Sequence, residues 1–305
     1  MKILDIPCAK PLWFCMVRHF PEFCCKMLYK RALGKKLDLK NPKDLNEKIQ
    51  WLKFHVDLKV WADLADKYKV REYVKKRGLE NILVKLYGKY DTVEELFNKW
   101  DSLPTKFVLK SNNGCGTVKI IKDKNIIDKN KLSKEVHYWL KQKDIGIGSV
   151  ELHYDLIKPC IIAEELLEDE TINSFSQSLI DYKIWCFDGK PYCCAALYDR
   201  NMTSHKAKFD LYDLNWNPIR NEITHLDSRH YDLILPKPKN WEKMLEYAST
   251  LSQGHSEVRV DLYNINGKIY FGEMTFTAKG GFQDNYSDDI LLKMGEQIDL
   301  NKIKA

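Results

Sequence analysis

The sequence predicts an α+β fold, with antiparallel sheets and helices set between them. Three observations predict it. The first hundred-odd positions, 1–105, carry mostly helical periodicity. From Lys106 the texture changes to short apolar runs bounded by turn residues. Two pairs of these runs flank Asp188-Gly189 and Asn266-Gly267, dipeptides that supply the positive φ of tight hairpins. Hairpin strands are antiparallel, which argues against a doubly wound parallel sheet.

The elements follow in order. Pro21 to Arg31 is a helix with Phe23, Met27 and Leu28 on one side, closed by Gly34. Asn41-Pro42 starts the next, with Asn as N-cap and Pro in the first position, and Leu45, Ile49 and Leu52 follow at helical spacing. Asp66 to Lys76 is a third helix, with Val70, Tyr73 and Val74 inward and Gly78 as its stop. Ile82-Leu83-Val84 reads as a short strand. Phe107 to Lys110 and Val118 to Ile121 are strands around a glycine-containing loop, Ser111 to Thr117. Lys131 to Lys141 is helical, and Cys160 to Ala163 is a wholly apolar strand. One hairpin joins Asp181–Phe187 to Lys190–Leu197; the other joins Val258–Tyr263 to Ile269–Met274. Between them Asn240 caps a helix from Trp241 to Ser252, which Gly254 ends. Ser287 caps the last helix.

The 305 residues are enough for two domains or for one large α/β unit with subdomains, and the absence of a long Gly/Pro/Ser linker implies close packing. The formal net charge of +6 is uneven: residues 1–60 hold 13 basic against 6 acidic residues. The basic character belongs to the N-terminal segment, and it suggests an anionic neighbour: phosphate, a membrane surface or an acidic polysaccharide. No uncharged apolar run approaches the roughly 18 residues of a membrane span. The nine cysteines include no C-x-x-C, which argues against a zinc knuckle or thioredoxin site. Scattered and unpaired, they read as small buried hydrophobes in a reducing cytosol.

The chain has no phosphate-binding G-x-x-x-x-G-K-[ST] loop, no H-E-x-x-H, no G-x-S-x-G and no Rossmann glycine run. What it has is weaker singly. Asn113-Gly114-Cys115-Gly116 is either a tight turn or a loop whose N–H groups cover phosphate, with Lys110 beside it. Lys110 follows Phe107-Val108-Leu109, and a lysine directed into a buried region needs an anionic partner. Glu164-Glu165-Leu166-Leu167 is either a strand end turning into solvent or a hinge that reads a purine edge. Asp181-Tyr182-Lys183 is either a surface ion pair or a second phosphate-binding lysine. Arg259-Val260-Asp261 with Glu273-Met274-Thr275 is either a cross-strand ion pair or a hard-oxygen site for Mg²⁺. Lys279-Gly280-Gly281 is either a mobile loop or a cradle for a substrate anion.

The order of these features resembles the ATP-grasp superfamily and, more narrowly, the TupA-like ATP-grasp family of surface-polysaccharide biosynthesis. The stretches that carry the resemblance are NPKDLNEKIQWLK (41–53), ADKYKVREYV (65–74), FVLKSNNGCG (107–116), DYKIWCFDGKP (181–191) and VRVDLYNINGKIYFGEMTF (258–276). The resemblance implies two α+β lobes whose antiparallel sheets clasp ATP. A helical basic region at 1–64 and a linking segment at 65–105 would precede a small lobe at 106–168 and a large lobe at 169–305. It implies that Lys110 and Lys183 contact phosphates, with Lys67 in reach of the nucleotide. Glu164, Glu165 and Leu167 would contact adenine, and Asn113, Gly114 and Gly116 would form the closing loop. Asp261 and Glu273 would hold Mg²⁺, as two ions. Thr275 stands where the wider superfamily has an amide ligand.

The implied reaction joins a carboxylate to an amine through an acyl phosphate, with Lys110, Lys183 and Arg259 stabilising the transferring phosphoryl group. Lys279, Gly280 and Gly281 would hold the carboxylate side. The family context implies a uronic-acid carboxylate on an acidic glycan or sugar nucleotide, and a small amine such as an amino acid or amino alcohol. It also implies a cytoplasmic enzyme at or near the inner face of the membrane, with no nucleic-acid partner. Two rivals are a sugar phosphotransferase and a non-catalytic acidic-glycan module using Trp13, Trp51, Trp61 and Trp100, for most of which core packing is the simpler expectation.

Two expectations concern placement. The stripe Trp13, Phe14, Val17 and Phe20 in the basic segment would either meet an anionic membrane or pack inward. In the second hairpin, a plain two-residue turn pairs Ile265 with Lys268 and puts Asp261 and Glu273 on opposite faces. A shared metal therefore requires a three-residue loop, with Arg259 facing Glu273 and Asp261 diagonal to it, or an equivalent bulge.

Overall fold

The computed structural model describes residues 9–114, 116–169, 176–201, 207–224 and 233–303. Cys8 and Cys115 lie outside these residues. Two compact units are present. One is Leu58–Leu167, and the other joins Met1–Asp57 to Glu168–Ala305.

The chain opens with α1 (Ala9–His19), α2 (Pro21–Leu33) and α3 (Leu45–His55). The cap of α3 is Asp44 rather than Asn41. Asp38 accepts the backbone N–H groups of Lys40 and Asn41, at 2.9 and 3.1 Å, which bends Asn41-Pro42 into a turn. Asp44 then accepts from the Glu47 N–H at 2.8 Å, and Glu47 reaches back to the Lys43 N–H at 2.8 Å, much as in a capping box.

The unit Leu58–Leu167 contains α4 (Leu58–Ala65), α5 (Val70–Lys76), β1 (Leu86–Tyr90), α6 (Val93–Asn98), β2 (Phe107–Ser111), β3 (Val118–Ile121), α7 (Lys129–Lys141) and β4 (Ile161–Glu164). Its sheet is antiparallel, in the order β1-β4-β2-β3. The expected strand at 82–84 is instead the exit of a 3-10 turn, Glu80–Ile82, and the strand starts at Leu86. A three-residue apolar run has no period of its own, and the Arg71 guanidinium takes the Val84 carbonyl at 2.7 Å. The helix expected from Asp66 begins at Val70, because Asp66 caps the N–H groups of Tyr68 and Lys69 in a lead-in turn. Phe107, Leu109, Ile121, Leu132, Val136 and Ile161 form this unit's core.

The other unit adds β5 (Asp181–Phe187), β6 (Lys190–Tyr198), β7 (Lys208–Tyr212), α8 (Trp241–Ser252), β8 (Val258–Ile265), β9 (Lys268–Thr275) and α9 (Asp288–Glu296). The strands make one antiparallel sheet in the order β7-β6-β5-β8-β9. Helix α8 packs against β5, β6 and β8. Leu45 and Ile49 of α3 join Trp185, Phe187, Ile290 and Met294 in a core that includes side chains of α9 and the sheet. Fully burying each such aliphatic side chain contributes roughly 1.5–3 kcal/mol. Ser287 caps α9 as expected, accepting from the Ile290 N–H at 3.1 Å. Asn240 precedes α8 in the left-handed region and makes no side-chain cap; its amide donates to the Gly267 carbonyl at 2.9 Å and ties the helix start to the hairpin turn. No described helix is long and apolar enough to cross a membrane.

The β8–β9 hairpin combines features of both alternatives. Ile265 pairs with Lys268 across Asn266 (φ 52°) and Gly267 (φ 94°), a two-residue turn. The register then shifts between Asp261 and Leu262: Leu262 faces Phe271, and Asp261 faces Glu273. Gly272 is the extra residue of a β-bulge, which restores the face that the turn alone would have reversed. The expected pairing of Arg259 with Glu273 is replaced by Arg259 with Thr275, so Asp261 is directly opposite Glu273 rather than diagonal. A β-carbon on Gly272 would lie 2.9 Å from the Asp261 carbonyl oxygen, so the bulge needs glycine there.

Candidate active site

In the unit Leu58–Leu167 the expected residues gather around Glu164. Phe107 and Leu109 point into the core, while Val108, paired with Glu164, and Lys110 two residues on share the other face. Lys110 reaches diagonally to Glu164 Oε2 at 2.9 Å, and Arg71 on α5 holds Oε1 at 2.9 Å. The anionic partner that Lys110 needs is thus a carboxylate of the chain, and the Lys110 side chain stays partly exposed. The Glu165 N–H donates to the Lys85 carbonyl at 2.9 Å, fixing the start of the segment after β4, where Glu165 and Leu167 are half-buried.

The glycine loop is tied to α4's exit. The Lys67 N–H donates to the Asn112 carbonyl at 3.0 Å, and Lys67 Nζ to the Gly114 carbonyl at 2.9 Å. Asn112 accepts from the Cys160 N–H at 2.8 Å, and Asn113 accepts from the Ser111 hydroxyl at 2.5 Å. The Asn113 side-chain oxygen is therefore engaged within the loop itself. Gly116, at φ 76°, is exposed.

In the other unit, Lys183, Arg259, Asp261, Glu273 and Thr275 come together on neighbouring strands. Lys183 faces Asp261 across β5–β8. Arg259 grips Asp261 with two hydrogen bonds, Nε to Oδ1 at 2.7 Å and a terminal nitrogen to Oδ2 at 2.8 Å. Lys183 bonds Asp261 Oδ2 as well, and lies 3.3 Å from Asp181. The same Arg259 nitrogen donates to the Thr275 hydroxyl at 3.2 Å and lies 3.6 Å from Glu273, and the Thr275 hydroxyl donates to Glu273 at 3.4 Å. Burial pushes the Asp261 carboxyl up, against the pull of Arg259 and Lys183. Burial also works against the charge on Lys183 and Arg259, but the surrounding carboxylates prevail and hold both pKa values above normal.

Asp181, Asp261 and Glu273 face three cations, Lys183, Arg259 and Arg200, the last 3.2 Å from Asp181, so the charges balance and a divalent ion would bind the carboxylates in exchange for part of this pairing. The side chain of Asp261 is 1% exposed with both oxygens engaged, whereas Glu273 is 37% exposed. Of the two, Glu273 would therefore be the more accessible to a cation, and Thr275 links Arg259 to it. Among the described residues no three His, Cys, Asp or Glu side chains converge to hold a metal unaided. A cation here would draw further ligands from phosphate and water, as Mg²⁺ commonly does.

The Lys279-Gly280-Gly281 loop is held rather than loose. All three residues have positive φ, 52°, 67° and 72°. Helix α3 grips the loop with a polar stripe: Gln50 Nε2 donates to the Gly280 and Gly281 carbonyls at 3.0 and 2.7 Å, and Lys53 Nζ to Gly280 at 2.7 Å. Asn46 exchanges two hydrogen bonds with the Gln283 backbone, at 2.9 and 2.8 Å. Lys279 pairs with Asp284, and burial lowers its pKa.

Asn46, Gln50, Lys53 and Arg71 were missed as site residues by the sequence reasoning. A signal was present for the first three: polar residues at i, i+4 and i+7 interleaved with Leu45, Ile49 and Leu52 mark a second buried face. Arg71 had none, because its carboxylate partner, Glu164, lies 93 residues along the chain. The four tryptophans behave as core or helix-packing residues: Trp13, Trp61 and Trp100 are buried, and Trp51 stacks on His55.

A TupA-like ATP-grasp family model matches residues 47–299. No curated protein matches the chain. Among solved structures, the D-alanine–D-alanine ligase of Bacillus anthracis is similar at 15% identity and a TM-score of 0.40, over 84% of this chain and 69% of that one. The Helicobacter pylori D-alanine–D-alanine ligase gives 13% and 0.44 over the same shares. The D-cycloserine synthetase DcsG gives 13% and 0.43, over 78% of this chain and 70% of that one.

Proposed function

The chain belongs to the TupA-like ATP-grasp family, and we propose that it is an ATP-dependent carbon–nitrogen ligase that forms an amide on a uronic-acid carboxylate of a surface polysaccharide or its precursor. The amine is a small one, an amino acid or amino alcohol. The observation that carries the reading is the single face shared by Lys183, Arg259, Asp261, Glu273 and Thr275, achieved by the bulge at Gly272.

In this reading a carboxylate oxygen attacks the γ-phosphorus and ADP leaves. The amine nitrogen then attacks the acyl carbon, loses a proton, and phosphate departs with one carboxylate oxygen. Phosphoryl transfer of this kind needs positioning and charge neutralisation more than covalent catalysis. Lys110 and Lys183 bind phosphate oxygens, and Arg259 stabilises charge that develops on the reacting group. Lys110 exchanges part of its bond to Glu164 for phosphate, while Arg71 keeps Glu164 in place. Glu164, Glu165 and Leu167 hold adenine, with Lys67, Asn113, Gly114 and Gly116 setting the loop over the phosphates. Asp261 and Glu273 would hold Mg²⁺, which supplies neutralisation of phosphate charge when bound. Lys279, Gly280 and Gly281 receive the carboxylate.

The test is ADP release across a panel of uronic acids and amines, with mass spectrometry of the product. The reading expects release to require both partners and a product mass equal to their sum less water. A phosphorylated sugar formed without amine would replace it with a phosphotransferase, and glycan binding without ATP turnover with a binding module.

A further inference from the structure

The N-terminal helical hairpin presents an apolar and basic surface that the proposed reaction does not use. Trp13 and Val17 of α1, and Cys25 and Tyr29 of α2, are buried, so each helix has an inward face. The expected outward stripe is accordingly reduced to Phe20. The exposed apolar set is Leu12 (66%), Phe20 (64%), Phe23 (54%) and Met27 (38%). Phe23, Met27 and Lys30 stand at i, i+4 and i+7, along the side of α2 opposite Cys25 and Tyr29. Phe20 and Phe23, three positions apart, each leave more than half of their surface in water.

The charges around them are mainly basic. Residues 9–40 hold eight lysines and arginines against Glu22 and Asp38. Lys10, Lys26, Lys30, Lys35 and Lys36 are exposed; Lys26 lies 3.6 Å from Glu22 and Lys35 pairs with Asp288. Neither helix, at 11 and 13 residues, can span a bilayer. We infer that this hairpin is a peripheral docking surface for an anionic lipid bilayer, with Leu12, Phe20, Phe23 and Met27 entering the headgroup region and the lysines meeting lipid phosphates. The chemistry matches an interfacial helix, in which apolar side chains insert while basic side chains extend to the phosphates. Charge complementarity selects lipid over a second copy of the chain, because two such faces would repel.

The experiment is flotation of the full chain with vesicles of phosphatidylglycerol and phosphatidylcholine in equal parts, and with phosphatidylcholine alone. Binding is expected only to the first, and it should weaken as salt is raised. Lys26→Glu/Lys30→Glu should reduce partitioning by at least about five-fold per residue, the contribution of one basic side chain near such a surface. Phe20→Ala/Phe23→Ala should reduce it at unchanged charge, and circular dichroism melting should show both variants folded. Equal binding to both vesicle types, or variants that float like the parent, would overturn the inference. So would sedimentation showing that the parent self-associates and the phenylalanine variant does not.

Discussion

Lys110 hydrogen-bonds Glu164 in this structure, and the proposed function asks it to hold phosphate as well. Lys110→Met keeps the aliphatic stem and removes the charge. Losing one charge-assisted hydrogen bond to phosphate should cost about 1.5–3 kcal/mol, a loss of about tenfold or more in ATP affinity by calorimetry. If affinity holds and only the melting temperature falls, Lys110 is simply the counter-ion of Glu164. Lys53 offers a complementary case. It is buried against the Gly280 carbonyl, so Lys53→Met should loosen the 278–281 loop while Gln50 still holds it. The expected result is about a tenfold lower kcat/KM for the carboxylate substrate, the size of effect that small misplacements produce, at unchanged ATP affinity. Cysteine reactivity is a third check. Burial pushes Cys25 to about 11 and both Cys160 and Cys186 to about 12. A thiol becomes nucleophilic as pH rises towards its pKa, so peptide mapping after alkylation in mildly alkaline buffer should find these three unmodified and the exposed Cys15 labelled. The opposite pattern would contradict the packing of both sheets.

The β8–β9 hairpin shows how one residue decides whether two ligands can meet. Parity alone leaves Asp261 and Glu273 on opposite faces of a two-residue turn, and Gly272 corrects it. The correction was legible in the sequence. Inward apolar residues fall at Ile269 and Phe271, then at Met274 and Phe276, so the alternation changes phase across Gly272, whereas Val258, Val260 and Leu262 keep theirs. Counting from the turn made the need for a bulge visible; following the apolar phase would have located it. Two variants separate bulge from composition. Gly272→Val should favour the regular pairing of Asp261 with position 272, move Glu273 to the other face, and lower turnover by about a hundredfold. Deleting Gly272 should leave Asp261 facing Glu273 in an unbulged hairpin and retain more activity than the valine variant. Equal activities in the two would remove the bulge from the account.

At the scale of the molecule, the fold class, both hairpins and most helices could be read from turn dipeptides and periodicity. Strand β1 could not, because it is short and pairs with a distant segment, and neither could β7, a short run that no turn dipeptide joins to β6. The grouping of α3 with the strands after residue 168 was illegible for a related reason: it rests on Leu45 and Ile49 meeting side chains far along the chain, and local pattern carries no such information. The division makes its own prediction. Residues 58–167 are continuous and have their own core, so they should melt cooperatively when expressed alone. Residues 168–305 alone lack Leu45 and Ile49 and should not; cooperative melting of that fragment would contradict the core described here. The central claim, amide formation through an acyl phosphate, is tested most directly by the fate of one oxygen. With a carboxylate substrate labelled with heavy oxygen, turnover in the presence of ATP and amine should release inorganic phosphate carrying one labelled oxygen. Unlabelled phosphate alongside amide product would contradict the mechanism, and phosphate retained on the sugar would contradict the function.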